Sequence, residues 1–140
     1  MCAGSLARVS PTPLTDDELA FLEGALDLAR NGPTAELVTL VDQGLPVNLS
    51  TPAGDTLLVL AAYHGHAATV EALLARGADT ERVNDRGQTA LGAATFRQHL
   101  PVVRALLAAG ADPSGGTQSA LDVARFFDLP DARALLEAGR

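Results

Sequence analysis

A single spacing of 33 residues recurs through most of this 140-residue chain. Three glycines that each follow an apolar segment, Gly44, Gly77 and Gly110, keep this interval, and so do Thr56 and Thr89. Agreement between positions of different chemical type is what a repeated structural unit produces. The interval constrains the fold more than any other feature, because a unit this short has to be stabilised by its neighbours.

Each unit has the same internal plan, which the second one illustrates. An apolar segment from Thr56 to His64 precedes a break at Gly65, and the next segment places Val70, Leu73 and Leu74 on one face at helical spacing. That segment ends in Arg-Gly, which is typical of a helix C-terminus. A polar stretch of turn-forming residues then leads to the next unit. Because leucine and alanine dominate the apolar residues, each unit is predicted to be a pair of short helices.

Two stretches of the chain carry a resemblance to a known family. They are GDTLLVLAAYHGHAATVEALLARGAD, which begins at Gly54, and GQTALGAATFRQHLPVVRALLAAGAD, which begins at Gly87. Both resemble the ankyrin repeat, whose period is also 33 residues. The resemblance covers about residues 14–140 and implies an all-α ankyrin-repeat solenoid, in which each unit adds a β-turn finger, an inner helix and an outer helix. It also implies protein partners, bound at the finger tips and on the concave surface of the inner helices.

The expected organisation is a flexible N-terminal tail over residues 1–13 and a repeat domain over residues 14–140. The units are expected at about 14–47, 48–80, 81–113 and 114–140. Polar residues at the outer positions of the first and last helices predict a cap at each end of the stack. An array closed in this way is expected to be a whole protein of four units.

The start of the first helix is predicted by a capping box from Thr15 to Glu18. In this pattern, a hydroxyl and a carboxylate three residues apart satisfy amide groups that the first turn leaves unpaired. The helix is expected to run over about residues 16–30. Its periodicity predicts that Leu19, Leu22 and Leu26 point inward.

The sequence departs from the family at the Thr-Pro-Leu-His tetrapeptide. It reads Thr-Leu-Leu-Val from Thr56, Thr-Ala-Leu-Gly from Thr89 and Ser-Ala-Leu-Asp from Ser119. In the family, the histidine of this motif joins neighbouring fingers by hydrogen bonds. All three tetrapeptides lack it, so the fingers are expected to be less rigidly tied together than in the family.

The residues of this sequence do not form a pattern typical of a catalytic or metal site. His66 and His99 match the family's Gly-His position at the start of the outer helix, where the resemblance implies a structural role. His64 and His66 are two residues apart and therefore do not share a helical face, which argues against a metal site. No nucleophile–base pair and no phosphate-binding loop can be recognised. The sequence therefore predicts a protein that is not an enzyme and needs no cofactor.

The composition indicates which cellular compartment and which classes of partner suit this chain. The formal net charge is −7, and an acidic chain without a basic run is a poor ligand for nucleic acid or anionic membranes. No stretch approaches the roughly 20 apolar residues that a membrane span needs. The single cysteine, Cys2, cannot form a disulfide within the chain, which agrees with a reducing compartment. We expect a cytoplasmic monomer whose partner is a neutral or basic protein.

Four of the five aromatic residues fall in one column when the units are aligned. The column consists of the two residues before the break in each unit: Arg30–Asn31, Tyr63–His64, Phe96–Arg97 and Phe126–Phe127. The resemblance places these positions at the groove, and aromatic and arginine side chains dominate protein interfaces. The predicted partner-binding residues are Tyr63, His64, Phe96, Arg97 and Phe126. In the alternative interpretation these aromatics pack between units, and the last two plug the end of the stack.

The finger tips are the second predicted contact surface. The residues expected to contact the partner there are Asp55, Asp85, Arg86 and Gln88. Arg82, Arg86 and Arg97 would concentrate positive charge on the third unit, where they could accept a carboxylate from a partner. The alternative is a solvated loop without a binding role.

The sequence thus favours a protein–protein interaction module without catalysis. An acidic regulator or inhibitor of one specific enzyme is the alternative, and its binding would depend strongly on salt. A small enzyme or ligand carrier is a third hypothesis. It would require a convergent pocket of side chains with perturbed pKa values.

Overall fold

The fold is a stack of helix pairs, seen in a computed structural model that describes residues 16–32 and 34–138. The helices in these residues are α1 (Asp16–Asn31), α2 (Thr34–Asp42), α3 (Leu57–Tyr63), α4 (Ala67–Ala75), α5 (Ala90–Phe96), α6 (Leu100–Ala108), α7 (Ala120–Phe126) and α8 (Pro130–Ala138). Odd-numbered helices pack side by side in an inner layer, even-numbered helices form an outer layer, and each inner helix packs on the outer helix that follows it. The predicted all-α solenoid is confirmed.

Part of the prediction falls on residues that the structure does not describe. The N-terminal tail over residues 1–13, Cys2 and the capping residue Thr15 lie outside the described residues. The unit boundaries stay a prediction. Among the helices between residues 16 and 138, none is long and apolar enough to cross a bilayer.

The inner helices α3, α5 and α7 begin at hydroxyl residues that cap them. In α3 the Thr56 Oγ1 atom accepts a hydrogen bond from the Val59 amide at 3.1 Å, and Thr89 and Ser119 cap α5 and α7 in the same way. Each bond satisfies an amide that the first helical turn would leave unpaired. The first residue of the repeat tetrapeptide therefore caps the inner helix in all three units, although the motif's histidine is missing.

The core lies between the two helical layers and consists of leucine, valine and alanine. The large apolar side chains with full or nearly full burial are Leu37, Leu57, Leu58, Leu73, Leu91, Leu106, Leu136, Val70, Val102 and Val103. Alanines are buried on the inner helices, including Ala61, Ala62, Ala93 and Ala94. Small side chains at these positions let neighbouring inner helices approach closely, so a stack of seven-residue helices can still be densely packed.

The prediction that Leu19 points inward is wrong, since this side chain is 44% exposed. Leu26 is buried and Leu22 is half-buried, as expected. The reason lies in the lengths of the helices, because α1 has 16 residues whereas its inner-layer neighbour α3 has 7. The buried residues of α1 begin at Ala25, and the first half of the helix extends past its neighbour.

A buried asparagine joins the second and third fingers. The Asn84 Nδ2 atom donates to Asp55 Oδ1 at 2.8 Å, and Asn84 Oδ1 accepts from the backbone amides of Arg86 and Gln88 at 2.9 and 3.0 Å. The Asp85 amide also donates to the Ala53 carbonyl oxygen at 2.9 Å. The fingers are therefore tied together by a different residue from the family's histidine.

The same turn shows that the prediction for Gln88 is wrong. We expected this side chain to contact a partner, but it is only 7% exposed. Its Oε1 atom accepts from Asn84 Nδ2 at 3.4 Å, and the Gln88 backbone amide donates to Asn84 Oδ1 at 3.0 Å. The polar residue types that close a turn from inside are the same as those that face solvent, so the sequence does not distinguish the two positions. Gln88 closes the turn from inside.

Replacing Asn84 by alanine is expected to lower the free energy of unfolding by about 1–3 kcal/mol. The substitution leaves the amides of Arg86 and Gln88 without an acceptor in a buried turn, and an unpaired buried donor costs about this much. Asn48→Ala is the matched control. It removes one exposed bond, to the Asp79 amide, and should cost clearly less. Urea unfolding followed by circular dichroism measures both, and equal losses would contradict the assigned role of Asn84.

Two histidines join the inner helices α1 and α3 to the outer helix of the following unit, since His66 precedes α4 and His99 precedes α6. The His66 Nε2 atom donates to the Arg30 carbonyl oxygen at 2.7 Å, and His99 Nε2 donates to the Tyr63 carbonyl oxygen at 3.1 Å. Because a carbonyl oxygen only accepts, the hydrogen must be on Nε2 in both rings. These bonds hold the ends of α1 and α3, which carry groove residues, and agree with the structural role that the resemblance implies.

Candidate functional site

The ends of the inner helices form a continuous row of side chains. We call this row the groove stripe, and it consists of Tyr63, His64, Phe96, Arg97, Phe126 and Phe127. Within the stripe, the Arg97 Cζ atom lies over the Tyr63 ring, 4.8 Å from its centroid. One unit further on, the Phe127 and Phe96 rings meet edge to face with centroids 5.5 Å apart. The second residue of each pair thus contacts the first residue of the preceding pair.

Most side chains of the groove stripe are open to solvent. Phe126 is 82% exposed and Phe127 is 52% exposed, and Phe96, His64 and Arg97 are exposed as well. The alternative in which the aromatics only fill gaps between units therefore does not fit these phenylalanines. It fits Tyr63 in part, because that ring is half-buried against the core.

At its N-terminal end, the stripe borders a cavity of about 200 Å³ between the inner helices and the fingers. We call it the cationic cavity, and its lining residues are Arg30, Asp55, Val59, Leu60, Tyr63, His64 and Arg86. Helix residues and finger residues face the same space, which defines this side of the stack as a groove. The structure therefore brings together the two surfaces that were predicted separately.

The arginines around the cationic cavity differ in their pairing. Arg30 pairs with Asp27 at 2.6 Å, and Arg86 lies 3.8 Å from Asp55. Within residues 16–32 and 34–138, Arg97 has no carboxylate oxygen within 4.0 Å. The guanidinium group of Arg97 packs on the face of the Tyr63 ring instead. Its N–H groups can therefore bind a carboxylate from another molecule.

The other predicted finger residues take different positions. Asp85 and Arg86 are exposed, whereas Asp55 is largely buried and is held by Asn84 and Arg86. Arg82 lies 3.7 Å from Asp79 and does not line the cationic cavity. The positive charge predicted on the third unit is therefore divided, because Arg86 lines the cationic cavity and Arg82 pairs with Asp79 outside it.

His64 is expected to titrate below its usual pKa of 6.5. Partial burial of the ring is the main cause of the lowered pKa, and the positive charges of His66, Arg97, Arg30 and His99 add to it. Since the folded chain binds this proton less tightly than the unfolded chain, the contribution of His64 to stability is full above pH 6.5. It is lost as the pH falls from there through the folded pKa.

An NMR titration of the His64 ring checks this expectation. In Arg97→Gln the pKa of His64 should rise, because one of the positive charges is removed. Arg104→Gln removes an exposed arginine from the outer helix α6 and is the matched control. The assignment is wrong if both variants move the pKa of His64 equally.

At its C-terminal end, the stripe borders a mainly apolar depression. This apolar depression has a volume of about 340 Å³ and is lined by Thr117, Gln118, Asp122, Val123, Phe126 and Phe127. From the sequence, Phe127 was interpreted only as a plug for the stack, and Arg30 was not among the predicted contact residues. The column would have indicated both, because Phe127 aligns with His64 and Arg97, and Arg30 aligns with Tyr63.

The groove supplies rings, guanidinium groups and one imidazole. In the part of the chain that the structure describes, no three His, Cys, Asp or Glu side chains lie close enough together to hold a metal ion. Arginine and aromatic side chains are those that contribute most to protein interfaces. Chemically, the arrangement is suited to binding a peptide surface.

Comparison with known proteins connects this geometry to a family. The family model for ankyrin repeats, in three copies, matches residues 26–115, which is more than half of the chain. A curated Pseudomonas aeruginosa protein, described as an ankyrin repeat protein, is 52% identical over 62 residues. That match covers 44% of this chain and only 36% of the relative. The family model matches most of the chain, and the helix pairs and the 33-residue interval agree with it, so the chain belongs to the ankyrin-repeat family.

Proposed function

We propose that the chain is a cytoplasmic, monomeric interaction module that holds a partner protein in the groove and performs no catalysis. Ankyrin repeats generally serve as protein–protein interaction modules. The observation that carries the finer proposal is the Phe126 ring, which is 82% exposed within a stripe of aromatic and arginine side chains. Side chains of these types concentrate at the energetic centres of protein interfaces.

The distribution of exposed apolar side chains supports the groove as the contact surface. Six large apolar side chains are exposed in the described residues: Leu19, Phe21, Val83, Phe96, Phe126 and Phe127. Three of the six lie together in the groove stripe. Soluble monomers rarely leave such side chains clustered unless the cluster binds something.

Affinity capture with stripe variants tests the proposal. The full chain is used to capture proteins from a lysate of the organism that encodes it, and the double variant Arg97→Ala/Phe126→Ala is used in parallel. Arg104→Ala/Phe21→Ala is the matched control, since it removes the same residue types from exposed positions outside the stripe. We expect the stripe variant to lose the partner at unchanged thermal stability, whereas the control retains it.

The outcome also separates the two functions considered for this chain. An acidic regulator that binds a basic enzyme through its outer surface would keep its partner in the stripe variant. Its binding would fall steeply with added salt, because it would rest on charges spread over the surface. Retention of the partner by the stripe variant would contradict the groove proposal.

A further inference from the structure

We infer that the segment bound in the groove carries an acidic side chain that docks at Arg97 and a large apolar side chain that docks at Phe126 and Phe127. This inference rests on the proposed function and adds the chemistry of the partner. It also differs from the expectation based on net charge, which favoured a neutral or basic partner.

Positive charge is concentrated at one end of the groove. The chain as a whole has a formal charge of −7, but Arg30, His64, Arg86 and Arg97 all lie at one end of the groove. Two of these arginines already have a carboxylate partner within the chain, and Arg97 has none among the described residues. The Tyr63 ring under Arg97 orients a planar guanidinium group, which binds carboxylates in a two-pronged geometry.

The surroundings of His64 agree with a positive potential at this end. The charged groups that lower the pKa of His64 are Arg97, Arg30, His66 and His99, all of them cationic or able to become so. They come from α1, from the starts of α4 and α6 and from the end of α5, so several elements contribute to the potential. An incoming carboxylate is therefore attracted by more than one side chain.

The opposite end of the groove is mainly apolar. Phe126 and Phe127 are exposed beside Val123 and offer an apolar surface to a ring or an aliphatic side chain. Removing such a side chain from water on this surface favours binding. Asp122 lines the same depression and would repel a second carboxylate. The two ends are thus unequal in charge, and this difference sets the direction of the bound segment.

The stack also limits the spacing within the partner. Neighbouring helices pack about 8–10 Å apart, so the cationic and apolar positions are separated by one to two such steps. An extended chain covers about 3.3 Å per residue. The acidic and apolar side chains of the partner should therefore be about three to six residues apart in an extended segment.

A library of random 12-residue peptides displayed on phage is the probe for this inference. The library is selected on the full 140-residue chain. We expect enriched peptides to contain Asp or Glu together with Phe, Trp, Leu or Ile at the spacing given above. Synthetic versions of the enriched peptides are then measured by titration calorimetry against variants of the chain.

The variants locate each contact. Arg97→Ala and Phe126→Ala should each weaken binding about tenfold or more, as expected for a charged hydrogen bond and for a buried ring. Arg104→Ala and Phe21→Ala should change the affinity less than about twofold, since these side chains lie elsewhere. Arg97→Glu should reverse the charge preference, so that a peptide with Lys in place of its acidic residue binds better than the original.

The remaining outcomes overturn the inference in distinguishable ways. Enriched peptides without an acidic residue, or no enrichment at all, would reject the partner chemistry and leave the lysate experiment to decide the function. Peptides that bind the double variant Arg97→Ala/Phe126→Ala as well as the unchanged chain would reject the groove itself. Self-association, measured by analytical ultracentrifugation and lost in the stripe variant, would identify a second copy as the occupant instead.

Discussion

Leu91→Ala is expected to lower the free energy of unfolding by about 2–5 kcal/mol. Leu91 is fully buried in α5, and α5 packs on α3, α6 and α7. Truncation leaves a cavity that neighbouring helices cannot fill, because each is held by its own contacts on the other side. Since domains of this size are stable by only about 5–15 kcal/mol, much of the total would be lost.

The matched control is Leu19→Ala, which removes the same atoms from a side chain that is 44% exposed on α1. Its cost should stay below about 1 kcal/mol. Urea unfolding at equal protein concentration measures both, with the slope of the transition used to confirm that the unfolded states are comparable. A larger loss for Leu19→Ala than for Leu91→Ala would contradict the burial pattern on which the fold description is built.

The sequence was sufficient to predict the helix pairs, because the signals for them are local. Threonine or serine before the inner helix and Arg-Gly after an outer helix set the ends, and apolar spacing sets the buried face. The exposure of Leu19 could not be predicted in the same way. Periodicity shows which face of a helix is apolar, but it does not show how far the neighbouring helix extends alongside it.

The candidate site was predictable to the extent that it follows from the repeat. Aligning the units places Tyr63, Phe96 and Phe126 in one column, and the structure has them at the ends of the inner helices. The contact between Arg97 and Tyr63 depends on how successive units are offset, and this offset is a property of the packed stack. Sequence alone therefore identifies the members of the stripe but not which of them touch.

The sequence of the finger turn contains an asparagine, Asn84, whose position indicates how the turn closes. In Asn84 the side-chain oxygen accepts from the amide two residues later, at Arg86, which is the usual pattern of an asparagine in a turn. This pattern is visible in the sequence and predicts an inward Asn84. The burial of Gln88 would still have been missed, since it follows from the way this turn closes against Asn84.

Gly65→Ala is expected to lower the free energy of unfolding by about 2–5 kcal/mol. Gly65 has a φ of +79°, where a side chain costs about 1–2 kcal/mol. A Cβ atom there would also lie 2.7 Å from the His99 Nδ1 atom, so the ring has to move. Moving the ring breaks the bond from His99 Nε2 to the Tyr63 carbonyl oxygen, which adds a second loss of about 1–3 kcal/mol.

Gly77→Ala isolates the backbone part of this cost. Gly77 has a φ of +86°, but a Cβ atom there would meet nothing within 4 Å, so only the conformational penalty of about 1–2 kcal/mol is expected. In a His99→Ala background the histidine ring is absent, and Gly65→Ala should then cost no more than Gly77→Ala. Chemical unfolding of the single and double variants gives the coupling energy directly. If Gly65→Ala costs the same with and without His99, the histidine does not hold the end of α3, and the groove residue Tyr63 must be positioned by other contacts.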